Sequence, residues 1–316
     1  MSFLQRIARS ALRRFDQATM TDVADLKRSI EGLSARIDAL SRASEQEMKW
    51  RATLRRDLQA VLRNQFIDHA GPLDSVGLNA RRFRVRSQNE EDGIVLTLLR
   101  EAGTTRRRFV EIGCGRSGGN SATLAYEFGW TGLMVDANAK ALAHSRLTFS
   151  TNPNVTIVHS IVTPENVNQL LETHDCAGEI DFLSIDVDSV DYWIFDALSV
   201  ASPRVVTLEY NALFGPTRAV TVPNGPTPSD APKGYHGASL AALEKLARRK
   251  GYRLVACEDM GVNAFFLRDD LAPHLVGVAP EHAFRPARDR KAFDGEGKTV
   301  DLGELAASLG LPLVDV

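Results

Sequence analysis

From residue 81 onward, short β-rich runs alternate with stretches of helical period. This alternation constrains the fold more than any other feature, because it is the pattern of a parallel sheet covered by helices on both faces. Strands are expected at 109–113, 132–136, 155–159, 181–186, 205–210, 253–257 and 263–267. Helices are expected at 90–101, 139–149, 164–174, 190–198 and 239–250, with Pro164 and Ser239 at helix starts that suit those residue types. Only residues 258–262 separate the last two strands, too few for a parallel crossover, so that pair is antiparallel. The fold class is α/β. Seven strands with an antiparallel end differ from the six parallel strands of the usual dinucleotide fold.

The first strand runs into Phe109-Val-Glu111-Ile-Gly113-Cys-Gly115-Arg-Ser-Gly118-Gly119-Asn120. Glycines let the backbone turn tightly and approach a ligand at the carboxyl end of a sheet. Gly113, Gly115 and Gly118 fit GxGxxG, so a dinucleotide is one candidate ligand. The next strand ends at Asp136, whose carboxylate suits the two hydroxyls of a ribose. Glu111 is expected to discriminate between cofactors. A carboxylate there repels a pyrophosphate but suits the cationic amino-acid end of S-adenosylmethionine.

These residues resemble a known family. FVEIGCGRSGGNSATLAYEFGWTGLMVDA is similar to the cofactor segment of FkbM-type S-adenosylmethionine-dependent methyltransferases. SQNEEDGIVLTLL (87–99), DFLSIDVDSVDYWIFDAL (181–198) and YHGASLAALEKLARRKGYRLVACEDMGVNAFFLRDDL (235–271) extend the likeness, which covers roughly residues 81–275. It implies a seven-stranded Rossmann-like class I methyltransferase sheet and O-methylation of a sugar, glycan or natural-product hydroxyl. By the same resemblance Glu111, Gly113 and Gly115 hold the methionine end, Asp136 the ribose, and Ser160 and Ile161 lie by the adenine. Asn120 either contacts the cofactor or caps the following helix.

A hydroxyl is a poor nucleophile until a base or a metal helps it. The fourth strand ends in Asp186-Val-Asp188 and the fifth in Glu209-Tyr-Asn211, both at the carboxyl edge. This oxygen-rich set resembles the Asp, Asp, Asn site of metal-dependent O-methyltransferases. Asp186, Glu209 and Asn211 are expected as ligands of Mg²⁺ or another hard cation. The competing reading has Asp188 capping a helix and Glu209 pairing with a basic neighbour. His236, between glycines and after the Pro/Gly-rich stretch 223–232, is the expected base. Asp186, Asp188 and Glu209 join it as catalytic candidates.

The N-terminal part reads differently. Residues 1–66 hold 13 Lys+Arg against 8 Asp+Glu, and the remainder 25 against 32, so the acidic main body argues against a nucleic-acid groove. Residues 1–15 form a basic amphipathic pattern that suits either peripheral contact with an anionic membrane or docking on the protein itself. The interrupted apolar row has the required charges against export: arginines break it where a secretory signal needs a continuous core. No apolar run reaches the roughly 20 residues of a spanning helix. Val23, Leu26, Ile30, Leu33, Ile37 and Leu40 follow an a/d heptad, resumed at Leu54, Leu58 and Val61. Residues 21–66 therefore read as a coiled coil forming a homodimer, or as one long helix packed on the body. Cys114, Cys176 and Cys257 are too scattered for a disulfide scaffold or a cysteine zinc site, which fits a cytoplasmic location. The expected divisions are 1–66 helical, 67–80 linker, 81–275 methyltransferase domain and 276–316 extension. Two competing functions are an NAD(P)-dependent oxidoreductase and a non-catalytic coiled-coil scaffold.

Overall fold

The computed structural model describes residues 77–229, 231–293 and 298–316, together with the isolated helical positions Ser41, Ser44, Glu47 and Leu58. The amphipathic pattern at 1–15 and nearly all of the heptad row at 21–66 lie outside the described residues, as do residues 67–76. Internal contacts divide the chain into two units, Met1–Val61 and Leu62–Val316. No helix among the described residues is long and apolar enough to cross a membrane.

In the second unit the elements run α1 (Glu91–Ala102), β1 (Arg108–Ile112), α2 (Ala122–Glu127), β2 (Thr131–Asp136), α3 (Ala139–Thr148), β3 (Val155–His159), α4 (Val167–Thr173), β4 (Gly178–Ile185), α5 (Asp191–Ala197), β5 (Ala201–Glu209), β6 (Val220–Thr221), α6 (Leu240–Arg249), β7 (Tyr252–Cys257), β8 (Asn263–Arg268), α7 (Pro280–Ala283), β9 (Ala292–Phe293), β10 (Thr299–Val300), α8 (Leu302–Ser308) and β11 (Val314–Asp315). Seven strands form one sheet in the order β3-β2-β1-β4-β5-β8-β7. The first five pair in parallel, and β8 runs antiparallel between β5 and β7. This is the Rossmann-like sheet of class I methyltransferases.

The central strands are buried on both faces, so they read as unbroken apolar runs. Val110, Ile112, Leu183, Ile185, Val206 and Leu208 pack one face against α4, α5 and α6. Phe109, Met134, Phe182, Val205, Phe265 and Leu267 pack the other against α1, α2 and α3. Every expected strand is present, within a few residues of its expected ends. The helix expected from Pro164 begins instead at Val167. Asn166 accepts from Thr163 N and donates to Ile161 O, and this local side-chain bonding makes a turn where the helix was expected.

The described residues of 276–316 are built into this unit. β11 pairs with β6, Tyr235 Oη donates to Pro312 O, and Val316 N donates to Ala219 O. The segment carrying His236 is therefore tied down from the C-terminal end of the chain.

Candidate active site

The carboxyl ends of β1, β2 and β4 open onto a cavity of about 740 Å³. Its walls include Gly113, Gly115, Asp136, Ser160, Ile161 and Asp186. The switch in strand order between β1 and β4 makes room for it, as in other open α/β sheets. Gly113 has φ 89°, and a Cβ there would lie 1.6 Å from Asp186 O. Only glycine lets β1 and β4 end so close together.

Asp136 stands on the cavity wall with its carboxylate already oriented. Oδ2 accepts from Gly115 N and Oδ1 from Asn138 N, each at 2.7 Å. Ser160 and Ile161 follow β3 on the same wall, and Ile161 is exposed although apolar. An exposed Ile beside a cavity suits the flat face of a base. Three stretches not expected as cofactor-site residues also line the cavity: Gln88, Thr163–Glu165 and Asn224–Pro226. Gln88 is placed by the buried carboxylates of Glu91 and Asp92, which accept from the backbone of residues 85, 86, 87 and 89. The acidic run at 90–92 was a visible signal for this anchoring.

Glu111 requires correction. It is wholly buried beneath the glycine loop and is absent from the cavity wall. Its carboxyl accepts from Asn120 N (3.1 Å), Ser121 N (2.8 Å) and Ser121 Oγ (2.5 Å). Burial, the largest influence, pushes its pKa up to about 8, against the pull of bonds from Ser121, Ser184 and Asn120. Glu111 thus shapes the loop from below. It still opposes a dinucleotide, for another reason than expected: it takes the N–H groups at the helix entrance that a pyrophosphate would need. Asn120 neither reaches the cavity nor caps α2 with its side chain. Its amide is buried and donates to Ser184 Oγ at 3.2 Å, with Asn263 Oδ1 3.5 Å away.

Beside the Asp186–Ser189 wall lies a cluster of ionisable groups. Glu209 is buried, and Asp186 beside it is half-buried at the cavity wall. Burial, then the charges of Asp191 and Asp188, push Asp186 up to about 7. Burial, then Asp186, raises Glu209 well above the ordinary carboxylate range. Two desolvated carboxyls this close cannot both carry charge cheaply, so the pair holds a proton near neutral pH. Asp191, at the start of α5, accepts from Val187 N and Ser189 N, and this bends the backbone through Asp188 at φ 52°. Asp188 is exposed and does not cap α5.

His236 Nδ1 is buried, has no hydrogen-bond partner, and stands 4.0 Å from both Asp188 Oδ1 and Glu209 Oε2. Burial lowers its pKa, Asp188 opposes this and Arg290 reinforces it. Asp188, Glu209 and His236 each place one possible ligand atom within 4.8 Å of the others. The expected metal set of Asp186, Glu209 and Asn211 does not fit. Asn211 Nδ2 donates to Gly234 O and His236 O, and its Oδ1 accepts from Leu213 N, so the amide is spent holding the histidine loop. Glu209 Oε1 accepts from Arg290 Nη1 at 2.5 Å. Arg290 is a site residue that the sequence did not signal. It lies 81 positions from Glu209 and beyond the stretch carrying the family resemblance.

No family model matches the chain, and no curated protein matches it. Among solved structures it is similar to an O-methyltransferase from Bacillus cereus in complex with SAH (14% identity, 67% of this chain and 96% of that one, TM-score 0.37). It is also similar to fibrillarin from Aeropyrum pernix with natively bound S-adenosyl-L-methionine (8% identity, 52% and 67%, TM-score 0.35). A third is PKMT2 from Rickettsia typhi in complex with AdoHcy (20% identity, TM-score 0.29), where the match covers 37% of this chain and 24% of that one.

Proposed function

We propose that this chain is an S-adenosylmethionine-dependent methyltransferase acting on oxygen, with a sugar or glycan hydroxyl as the acceptor class. The observation that carries the reading is the adjacency of two sites: a glycine-walled cavity with an oriented Asp136, and beside it a buried histidine nitrogen with no partner. The acceptor class follows from the family resemblance of residues 81–275.

The cavity residues fit the cofactor. Asp136 offers lone pairs to a ribose, Ser160 and Ile161 flank a base, and Gly113 and Gly115 keep side chains out of the loop. When bound, the cofactor supplies an electrophilic methyl group on a sulfonium. The chain supplies orientation and proton removal. His236 Nδ1 accepts the acceptor's hydroxyl proton, and Asp188 and Glu209 stabilise the imidazolium that results. His236 is neutral before this step because burial disfavours its charged form. Asp186 and Glu209 make the floor of the site rather than acting as separate bases, since their raised pKa values leave them sharing a proton.

Calorimetry on the full chain with S-adenosylhomocysteine and with NAD tests the cofactor assignment. S-adenosylhomocysteine is expected to bind and NAD to show no heat. Binding of NAD without binding of S-adenosylhomocysteine would restore the oxidoreductase reading.

A further inference from the structure

We propose that Arg290 is the resident cation of the acceptor site, occupying the electrostatic role of a divalent metal, so that the site operates without one. The inference rests on the methyl-transfer reading only for what the site does, not for its electrostatics.

The cluster invites a cation. Asp188, Glu209 and His236 converge so closely that a single atom could lie within about 2.8 Å of all three ligand atoms. Such a centre has two competitors, a hydrated dication and a neutral acceptor hydroxyl. Arg290 decides between them. Its Nη1 donates to Glu209 Oε1 at 2.5 Å, and its Nη2 stands 3.8 Å from Asp188 Oδ1. A guanidinium keeps its charge at any accessible pH, so this positive charge is permanent. It already compensates the carboxylates a metal would require, and it would repel a dication placed beside them. It also removes one oxygen of Glu209 from any bidentate coordination.

The placement of Arg290 is built rather than incidental. Glu209 is 2% exposed at its side chain, so the negative charge that the Asp186–Glu209 pair keeps after sharing a proton would be costly without Arg290 beside it. The strand of chain leading to Arg290 is fastened over the β7–β8 turn. Arg288 N donates to Met260 O at 3.1 Å, and Tyr210 Oη donates to Arg285 O at 2.7 Å. A Cβ on Gly261 would lie 2.6 Å from Pro286 O, so the turn and the segment are in close contact. A long-range ion pair with such backing acts as part of the site. Arg290 is thus a positioning residue: it holds Glu209 and leaves His236 Nδ1, which has no partner of its own, to an uncharged hydroxyl.

The test titrates Mn²⁺ into the full chain and follows free Mn²⁺ by electron paramagnetic resonance. Wild type and Arg290→Lys, which keeps the charge, are expected to take up no Mn²⁺ at this cluster. Arg290→Ala frees the carboxylates and is expected to bind Mn²⁺ at least about tenfold more tightly than wild type. Adding His236→Ala to Arg290→Ala should remove the gained site. Two results would overturn the proposal: wild-type Mn²⁺ uptake that His236→Ala abolishes, or a folded Arg290→Ala protein with no gain. The wild-type arm stands even where Arg290→Ala does not fold. Neither cofactor nor acceptor enters this measurement, so its failure leaves the methyl-transfer reading standing. Failure to bind S-adenosylhomocysteine would sink that reading instead.

Discussion

Glu111→Gln separates a residue that braces the glycine loop from one that touches a cofactor. The Glu111 carboxyl is fully buried and its pKa is raised from 4.5 to about 8, chiefly by burial. The folded-state value lies above the unfolded one. The stability gained from the neutral carboxyl is therefore fully present below about pH 4.5 and is lost as pH rises toward 8. With a tenfold change in proton affinity equal to about 1.4 kcal/mol, the whole interval corresponds to roughly 5 kcal/mol, of which about 2–3 kcal/mol falls between pH 5 and pH 7. Gln does not titrate. Its amide nitrogen would face Asn120 N and leave that donor without an acceptor, a penalty of about 1–3 kcal/mol that does not change with pH. The slope is therefore the diagnostic quantity. Urea unfolding of both proteins across this range should show the variant gaining about 2–3 kcal/mol on wild type from pH 5 to pH 7. Parallel curves would refute the buried, neutral Glu111. Because Gln keeps the volume and one acceptor oxygen, affinity for S-adenosylhomocysteine should stay within a few-fold of wild type. A large loss in a folded variant would show that the carboxylate contacts the cofactor directly.

Three further outcomes are expected. Asp136→Ala removes a cavity-wall carboxylate that accepts from Gly115 N and Asn138 N, and calorimetry should show S-adenosylhomocysteine binding at least about tenfold more weakly; unchanged affinity in a folded protein would reject the ribose assignment. Gly113→Ala combines a left-handed backbone with a Cβ pressed on Asp186 O, so thermal unfolding should register a loss of about 3 kcal/mol or more. His236→Ala should lower methyl transfer by about 10²–10⁴-fold while leaving S-adenosylhomocysteine affinity intact, and equal turnover by variant and wild type would assign the proton to another group.

Local patterns made much of this molecule readable before any coordinates. Strands buried on both faces announce themselves as apolar runs, and the five-residue gap at 258–262 dictated an antiparallel pair. The glycine loop and Asp136 were visible because tight turns at strand ends need particular residue types at short spacing. The same locality explains what was misassigned. Glu111 sits two residues before Gly113, and sequence spacing does not say whether a strand residue faces a cavity or the core beneath a loop. Asn211 carries the right atoms for a metal, but its amide is committed to a loop more than twenty residues away.

The residue order alone determined the α/β class, the seven-stranded sheet with its antiparallel end, and the placement of Asp136, Asp186, Asp188 and Glu209 at one edge. These follow from periods of two and 3.6 residues and from the length of connections, all written locally in the chain. Only the tertiary structure decided which of those acids are buried and which stand at the cavity. It also brought His236 to within 4.0 Å of Glu209 and carried Arg290 across 81 positions to neutralise it. Contacts of that kind depend on where a distant segment packs, and packing depends on the whole folded core rather than on any neighbouring residue.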